Sequence, residues 1–148
     1  MSPITQACYT TSEDAENAFY TALQAGNLEA LMQVWAEDDE VVCVHPNGQR
    51  VVGHAAIRLN WQDIFAGNRR LQITVNRSVR WSSMLMSIHS VVEHISIGGE
   101  EGQLTLAATN VYVRGATGWR ILIHHSSAIQ EGAEGMQDAL DNQPHTLH

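Results

Sequence analysis

A proline at position 46, followed by Asn47-Gly48, is the strongest single constraint on what this chain can fold into. The stretch from Trp35 to Gly53 reads WAEDDEVVCVHPNGQRVVG. An apolar helical pattern ends at Trp35-Ala36, an acidic turn crosses Glu37-Asp38-Asp39-Glu40, and a short apolar strand runs from Val41 to Val44. Proline fixes φ and has no amide to donate, and Asn-Gly favours a turn, so the strand has to end at His45. A rigid turn thus holds an imidazole at the end of a strand, where it can be aimed into a cleft.

Helical patterns flank this stretch. Thr11-Ser12 with Glu13-Asp14 offers a capping hydroxyl and acids for a first turn. Ala15, Phe19, Ala22 and Leu23 then recur at i, i+4, i+7 and i+8. Gly26 suits the end of that helix and Asn27 the cap of the next, whose stripe is Leu28, Leu31, Met32 and Trp35. The two read as a tight helical hairpin. After Gly53, Ile57, Trp61, Ile64 and Phe65 mark a third helix, closed by Gly67-Asn68.

Everything after Asn68 reads as strands. Leu71, Ile73, Val75, Val79 and Trp81 alternate with mostly polar residues, the period of a half-buried strand. Further strands are expected at Met84 to Ile97, Gln103 to Arg114 and Trp119 to Ile129, joined by a Gly98–Gly102 loop and a turn at Gly115-Ala116-Thr117-Gly118. Helices first and a meander of long strands after them predict an α+β domain, a curved antiparallel sheet with helices on one face. The expected organisation is an N-terminal extension at 1–11, a domain at 12–130 and a polar, mobile tail at 131–148.

At 148 residues, 44% hydrophobic and 16% charged, the chain suffices for one globular core. Its formal net charge of −8 and lack of a basic cluster argue against nucleic acid or an anionic membrane surface as partner. No apolar stretch reaches the roughly 18 residues of a membrane span, and the N-terminus has no signal-peptide pattern, so a cytoplasmic protein is expected. Its two cysteines, Cys8 and Cys43, do not make a disulfide framework. Eight histidines invite a metal, yet no HxxxH, HxH or CxxC spacing occurs, and His145 and His148 fall in the tail. Only a convergence of His45, His89 and His124 in space would make a metal site, so no metal is expected. There is no nucleophile elbow and no phosphate-cradling glycine loop, hence no expected cofactor.

The segment AGNLEALMQVWAEDDEVV, the HPNG turn, Gly53 with Ala56-Ile57, and the closing GWRILIHHSS together resemble the nuclear transport factor 2-like superfamily. Within it the sequence is similar to SnoaL-like and ketosteroid-isomerase-like domains, from Ser12 to Ile129. The resemblance implies a cone whose curved sheet and helices enclose a pocket, commonly in a homodimer. In ketosteroid isomerases an aspartate immediately before the turn's proline is the general base; His45 stands there. A protonated aspartate that donates to the oxyanion aligns with Asn110, and a first-helix tyrosine aligns with Phe19. One position keeps a base, one a neutral donor and one is lost, which argues against steroid isomerisation by that mechanism.

Two classes of function follow. In the first, the domain is a cofactor-independent isomerase, cyclase or dehydratase acting on a small hydrophobic carbonyl compound. His45 moves a proton, Asn110 steadies the oxyanion through its amide, and Phe19, Trp35 and Trp61 line an apolar pocket. In the second, the same residues form a non-catalytic binding or dimeric assembly module. Adjacent strand residues point to opposite faces, so only one of His124 and His125 enters the pocket, with His124 favoured. Asp38 and Asp39 are expected in a solvated turn, Tyr20 at the surface, and His89 with Glu93 on a polar sheet face.

Overall fold

A computed structural model describes residues 7–67, 69–98 and 102–130. Helix α1 (Ser12–Ala25) starts where the Thr11 hydroxyl accepts from the Asp14 amide, and ends at Gly26, whose φ of 63° is left-handed. Asn27 follows at once and caps α2 (Leu28–Val34) by accepting from the Ala30 amide. The Gly-Asn pair therefore closes one helix and opens the next without a linker. Strand β1 (Val42–Val44) and a further strand β2 (Arg50–Val52) precede α3 (His54–Ala66). Four long strands complete the fold: β3 (Leu71–Ser82), β4 (Met86–Ile97), β5 (Leu104–Gly115) and β6 (Gly118–Ala128).

The strands form one sheet in the order β2-β1-β6-β5-β4-β3. All pairs are antiparallel except β1 with β6, so the short strand before His45 is clamped beside the chain's last strand. The sheet is therefore mixed rather than wholly antiparallel. The extra strand β2 was hidden in the sequence by its brevity and by Gln49-Arg50, which are polar. It makes the Pro46-Asn47-Gly48 turn a β-hairpin, closed by the His45 amide on Gln49 O at 2.9 Å and the Gly48 amide on His45 O at 2.9 Å.

Two bulges decide which side chains face inward. Between Asn76 and Val79 of β3 two residues oppose one on β4, and Arg77 takes a φ of 53°. Leu71, Ile73 and Val75 consequently face the helices, whereas Val79 and Trp81 pass to the outer face and are exposed. The even alternation read from Leu71 to Trp81 is thus broken in the middle. In β6 the register shifts between Val111 and Tyr112 of β5, leaving Leu122 as the extra residue. Ile121 and His124 both face inward as a result, and His125 is exposed.

The core lies between the helices and the inner sheet face and includes Phe19, Leu31, Trp35, Ile57, Val91, Tyr112 and Ile121, all at most 1% exposed. α1 packs on β3, β5 and β6, and α2 on α1, α3 and β6. Residue Asn68, the middle of the Gly98–Gly102 loop and the tail from Glu131 lie outside the described residues. Among those described, no helix is long and apolar enough to cross a membrane.

Gly118 and Gly26 give contrasting predictions. Both have positive φ, but a Cβ on Gly118 would sit 2.5 Å from the Tyr9 carbonyl oxygen, while nothing lies within 4 Å of one on Gly26. Gly26→Ala should cost about 1–2 kcal/mol, the left-handed penalty alone. Gly118→Ala should cost more by at least about 1 kcal/mol, because backbone must move. Urea unfolding of both variants checks the order.

Candidate functional site

His45 follows β1 directly, and the hairpin fixes its backbone. Its half-buried ring places Nε2 2.5 Å from Oδ1 of Asn60 on α3. With an amide oxygen facing it, Nε2 carries a proton and donates it to Asn60. The ring edge meets Trp61 at a centroid distance of 5.1 Å, and Phe65 continues the aromatic row at 5.6 Å from Trp61. Cys43 Sγ lies 3.8 Å from His45 Nε2. Burial pushes that thiol up to about 12, so the Cys–His pair is not a thiolate nucleophile.

Deeper in, the register sets His89, Asn110 and His124 side by side on β4, β5 and β6, all inward. A directional chain of hydrogen bonds starts at His124. Its Nδ1 donates to Asn110 Oδ1 at 2.6 Å, and Asn110 Nδ2 donates to the Tyr20 hydroxyl at 2.9 Å. Tyr20 in turn bonds Glu93, whose Oε1 also accepts from the Ser126 hydroxyl at 3.0 Å. Burial lowers His124 to about 3, helped by the neighbouring His45 and His125, so this imidazole stays neutral. Burial raises the Glu93 carboxyl, against the two hydroxyl bonds that favour its ionised form. Burial, then the Glu93 charge, holds the Tyr20 phenol well above its usual range.

A second cluster anchors α1. Glu16 Oε2 accepts from His89 Nδ1 at 2.8 Å and from the Tyr112 hydroxyl at 2.9 Å. His89 Nε2 lies 3.0 Å from both the Ser12 and Ser87 hydroxyls. Burial raises Glu16, but its bond to His89, the charge of that residue and the Tyr112 bond together outweigh burial and leave it below the usual carboxylate range. His89 therefore belongs to a helix clamp and does not converge with His45 and His124. Among the described residues no group of three or more potential ligands could hold a metal.

The remaining sequence candidates are placed as follows. Phe19 is fully buried, with its ring 4.9 Å from His124 and 6.2 Å from Trp35. Trp35 is core, and Trp61 is the aromatic neighbour of His45. Asp38 and Asp39 are exposed in their turn. Tyr20 is only 5% exposed, which corrects its surface placement, and the polar sheet face of His89 and Glu93 is buried. The overlooked signal was the i, i+4, i+8 spacing of Ser12, Glu16 and Tyr20, a polar stripe beside the apolar one. It meets Ser87, His89 and Glu93, which alternate on one face of β4.

The folded pKa of His124 lies far below the ordinary 6.5, so the neutral ring contributes stability that is full above pH 6.5 and is lost as pH falls toward 3. Wild type should therefore lose up to about 1.4 kcal/mol per pH unit relative to His124→Gln below pH 6.5. Chemical denaturation of both proteins between pH 5 and 7 measures the difference. Parallel curves would show that His124 does not titrate with unfolding.

Comparison with known proteins places this geometry. A profile of the SnoaL-like domain family matches residues 13–131. A solved structure from Thiobacillus denitrificans, named as a candidate calcium/calmodulin-dependent protein kinase type II association domain, is 40% identical. It covers 83% of this chain and 98% of its own, with a TM-score of 0.71. A candidate dehydratase of the NTF2-like family from Streptomyces avermitilis is 24% identical over 81% of this chain and 95% of its own, with a TM-score of 0.74, a likeness of fold. The F-box protein SKIP8 of Arabidopsis thaliana is 25% identical over 75% of this chain, which spans only 46% of that protein's length. With an α+β NTF2-like fold and a match across most of its length, this chain belongs to the SnoaL-like domain family.

Proposed function

We propose that the chain is a homodimeric module that binds a small, largely apolar molecule without transforming it. The supporting observation is the direction of the interior hydrogen bonds. His124, Asn110, Tyr20 and Ser126 send their donors inward along a path that ends on Glu93. Asn110 accepts from His124 at Oδ1, and its Nδ2 donates to Tyr20 and also bonds Glu16, so it holds no free donor for an oxyanion. The groups left to a ligand are the half-buried His45 ring, its neighbour Asn60 and Phe65, over the buried Trp61. That set suits an apolar body with one polar group.

Assembly is supported by the outer sheet face. The register aligns Trp81, Ile88, Val111, Ile123 and Val42 in one apolar row across β3, β4, β5, β6 and β1. Val79 and Trp81 are 52% and 59% exposed, and Met86 beside them is 42% exposed. A contiguous outer apolar strip of this kind marks an interaction surface, and a second copy offers its complement. The name of the Thiobacillus relative, an association domain, agrees with that reading.

A catalytic reading keeps one observation in its favour: His45 is held by Asn60 beside an aromatic wall, as a positioned acid or base would be. Asn110 could then act only by exchanging its 2.9 Å bond to Tyr20 or its bond to Glu16.

A thermal-shift panel of small hydrophobic carbonyl compounds and alcohols, run on wild type and His45→Ala, tests the site. A ligand at a hundredfold its Kd should stabilise wild type by roughly 2.7 kcal/mol, and His45→Ala should lose most of that gain. The bound compound should be recovered unchanged; conversion that vanishes in His45→Ala would establish the catalytic reading instead. For assembly, sedimentation velocity at micromolar concentration should show a wild-type dimer and a folded Trp81→Glu monomer. A monomeric wild type would end the dimer proposal.

A further inference from the structure

A cavity of about 330 Å³ lies where α2, α3 and the start of β6 meet. Trp35, Glu37, His54, Arg58 and Arg120 are among the residues that line it, with Glu29. Its volume suits a small organic molecule. One feature of its wall asks for an anion.

That feature is Arg120. It is 7% exposed, yet among the described residues no carboxylate lies within ion-pair distance of it. Nη1 donates to Trp119 O at 3.1 Å, Nη2 donates to Ala7 O, and the guanidinium stands 5.0 Å over the Tyr9 ring. Carbonyl dipoles and a ring face orient a guanidinium without neutralising it, and a buried cation with no counter-charge is costly. Beside it stands Trp35, 1% exposed, whose covered indole N–H has no acceptor, as is also true of Trp61. The Trp35 ring forms part of the cavity wall and reports on whatever packs against it.

The other charges narrow the ligand. Glu29 is paired with Arg58, and His54 Nε2 is engaged with Met32 O at 3.2 Å, so neither pair adds a free charge. Glu37 is exposed at the rim, where a second negative charge on a ligand would meet it. We infer that this cavity is a second binding site, separate from the His45 site, for a small organic monocarboxylate: the carboxylate toward the Arg120 guanidinium, the apolar body against the Trp35 ring, and an uncharged remainder facing Glu37.

The test uses the indole N–H resonances of the four tryptophans in a ¹H–¹⁵N spectrum of the whole chain. Propionate and benzoate are titrated against their primary amides and against chloride at constant ionic strength. The Trp35 resonance should move saturably with the carboxylates only, while Trp61, the reporter of the His45 site, stays in place. Succinate should bind more weakly than propionate, and Glu37→Gln, an exposed substitution, should abolish that discrimination. Arg120→Met should weaken propionate on the order of 30-fold or more. Should that variant fail to fold, the amide control and Glu37→Gln still decide. No saturable Trp35 shift, an equal shift with amide or chloride, or a carboxylate shift confined to Trp61 would each overturn the inference. The last of these would leave the His45 site as the binding site.

Discussion

The contact on which this architecture rests is polar: the stripe of Ser12, Glu16 and Tyr20 on α1, set against Ser87, His89 and Glu93 on β4. Charged and hydroxyl groups at the centre of a small domain are expensive unless every one finds a partner. Here they do so across the helix–sheet interface, and each partner is specific in position. An apolar interface would tolerate a helix rotated or shifted by part of a turn. This one leaves Glu16 or His89 unpaired if α1 moves, so the first helix has one seat. Whether such a network adds net stability over a hydrophobic interface is a separate matter from the specificity it confers.

Specific seating of α1 explains why the site is so constrained. Phe19 lies one residue from Tyr20 and packs between Trp35 and His124, so the same helix supplies the aromatic wall and the buried hydroxyl. The interior then behaves as a scaffold that holds His124 and Asn110 in one hydrogen-bonding direction. The pair of His45 and Asn60 lies outside that chain of bonds. A network held by several paired groups leaves other positions free to vary, which is compatible with a fold that serves many functions through changes at few positions.

The fold was largely legible because its determinants are local. Caps at Thr11 and Asn27, glycine at 26, and proline at 46 each act within a few residues of themselves. The candidate site was less so. Tyr20 lies off the apolar stripe, and its burial depends on a second surface of α1 that only the sheet creates. Strand β2 carries too few apolar residues to announce itself, and its pairing is decided by the hairpin turn. The bulges at Arg77 and Leu122 had no sequence signature strong enough to locate them, since neither position holds glycine. They nevertheless determine which histidine and which tryptophan face inward.

The bulge in β3 gives a single strand two allegiances. Up to Val75 its apolar side chains belong to the core; from Val79 they belong to whatever meets the outer face. Substitutions in the first half answer to packing density inside the core, and those in the second half answer to the conditions of an exposed outer face. An alignment of relatives that slides one residue across Arg77-Ser78 would exchange the two sets of positions. It would then read surface variation as core variation. The segment has to be compared as two short strands of opposite orientation, each judged against its own side of the sheet.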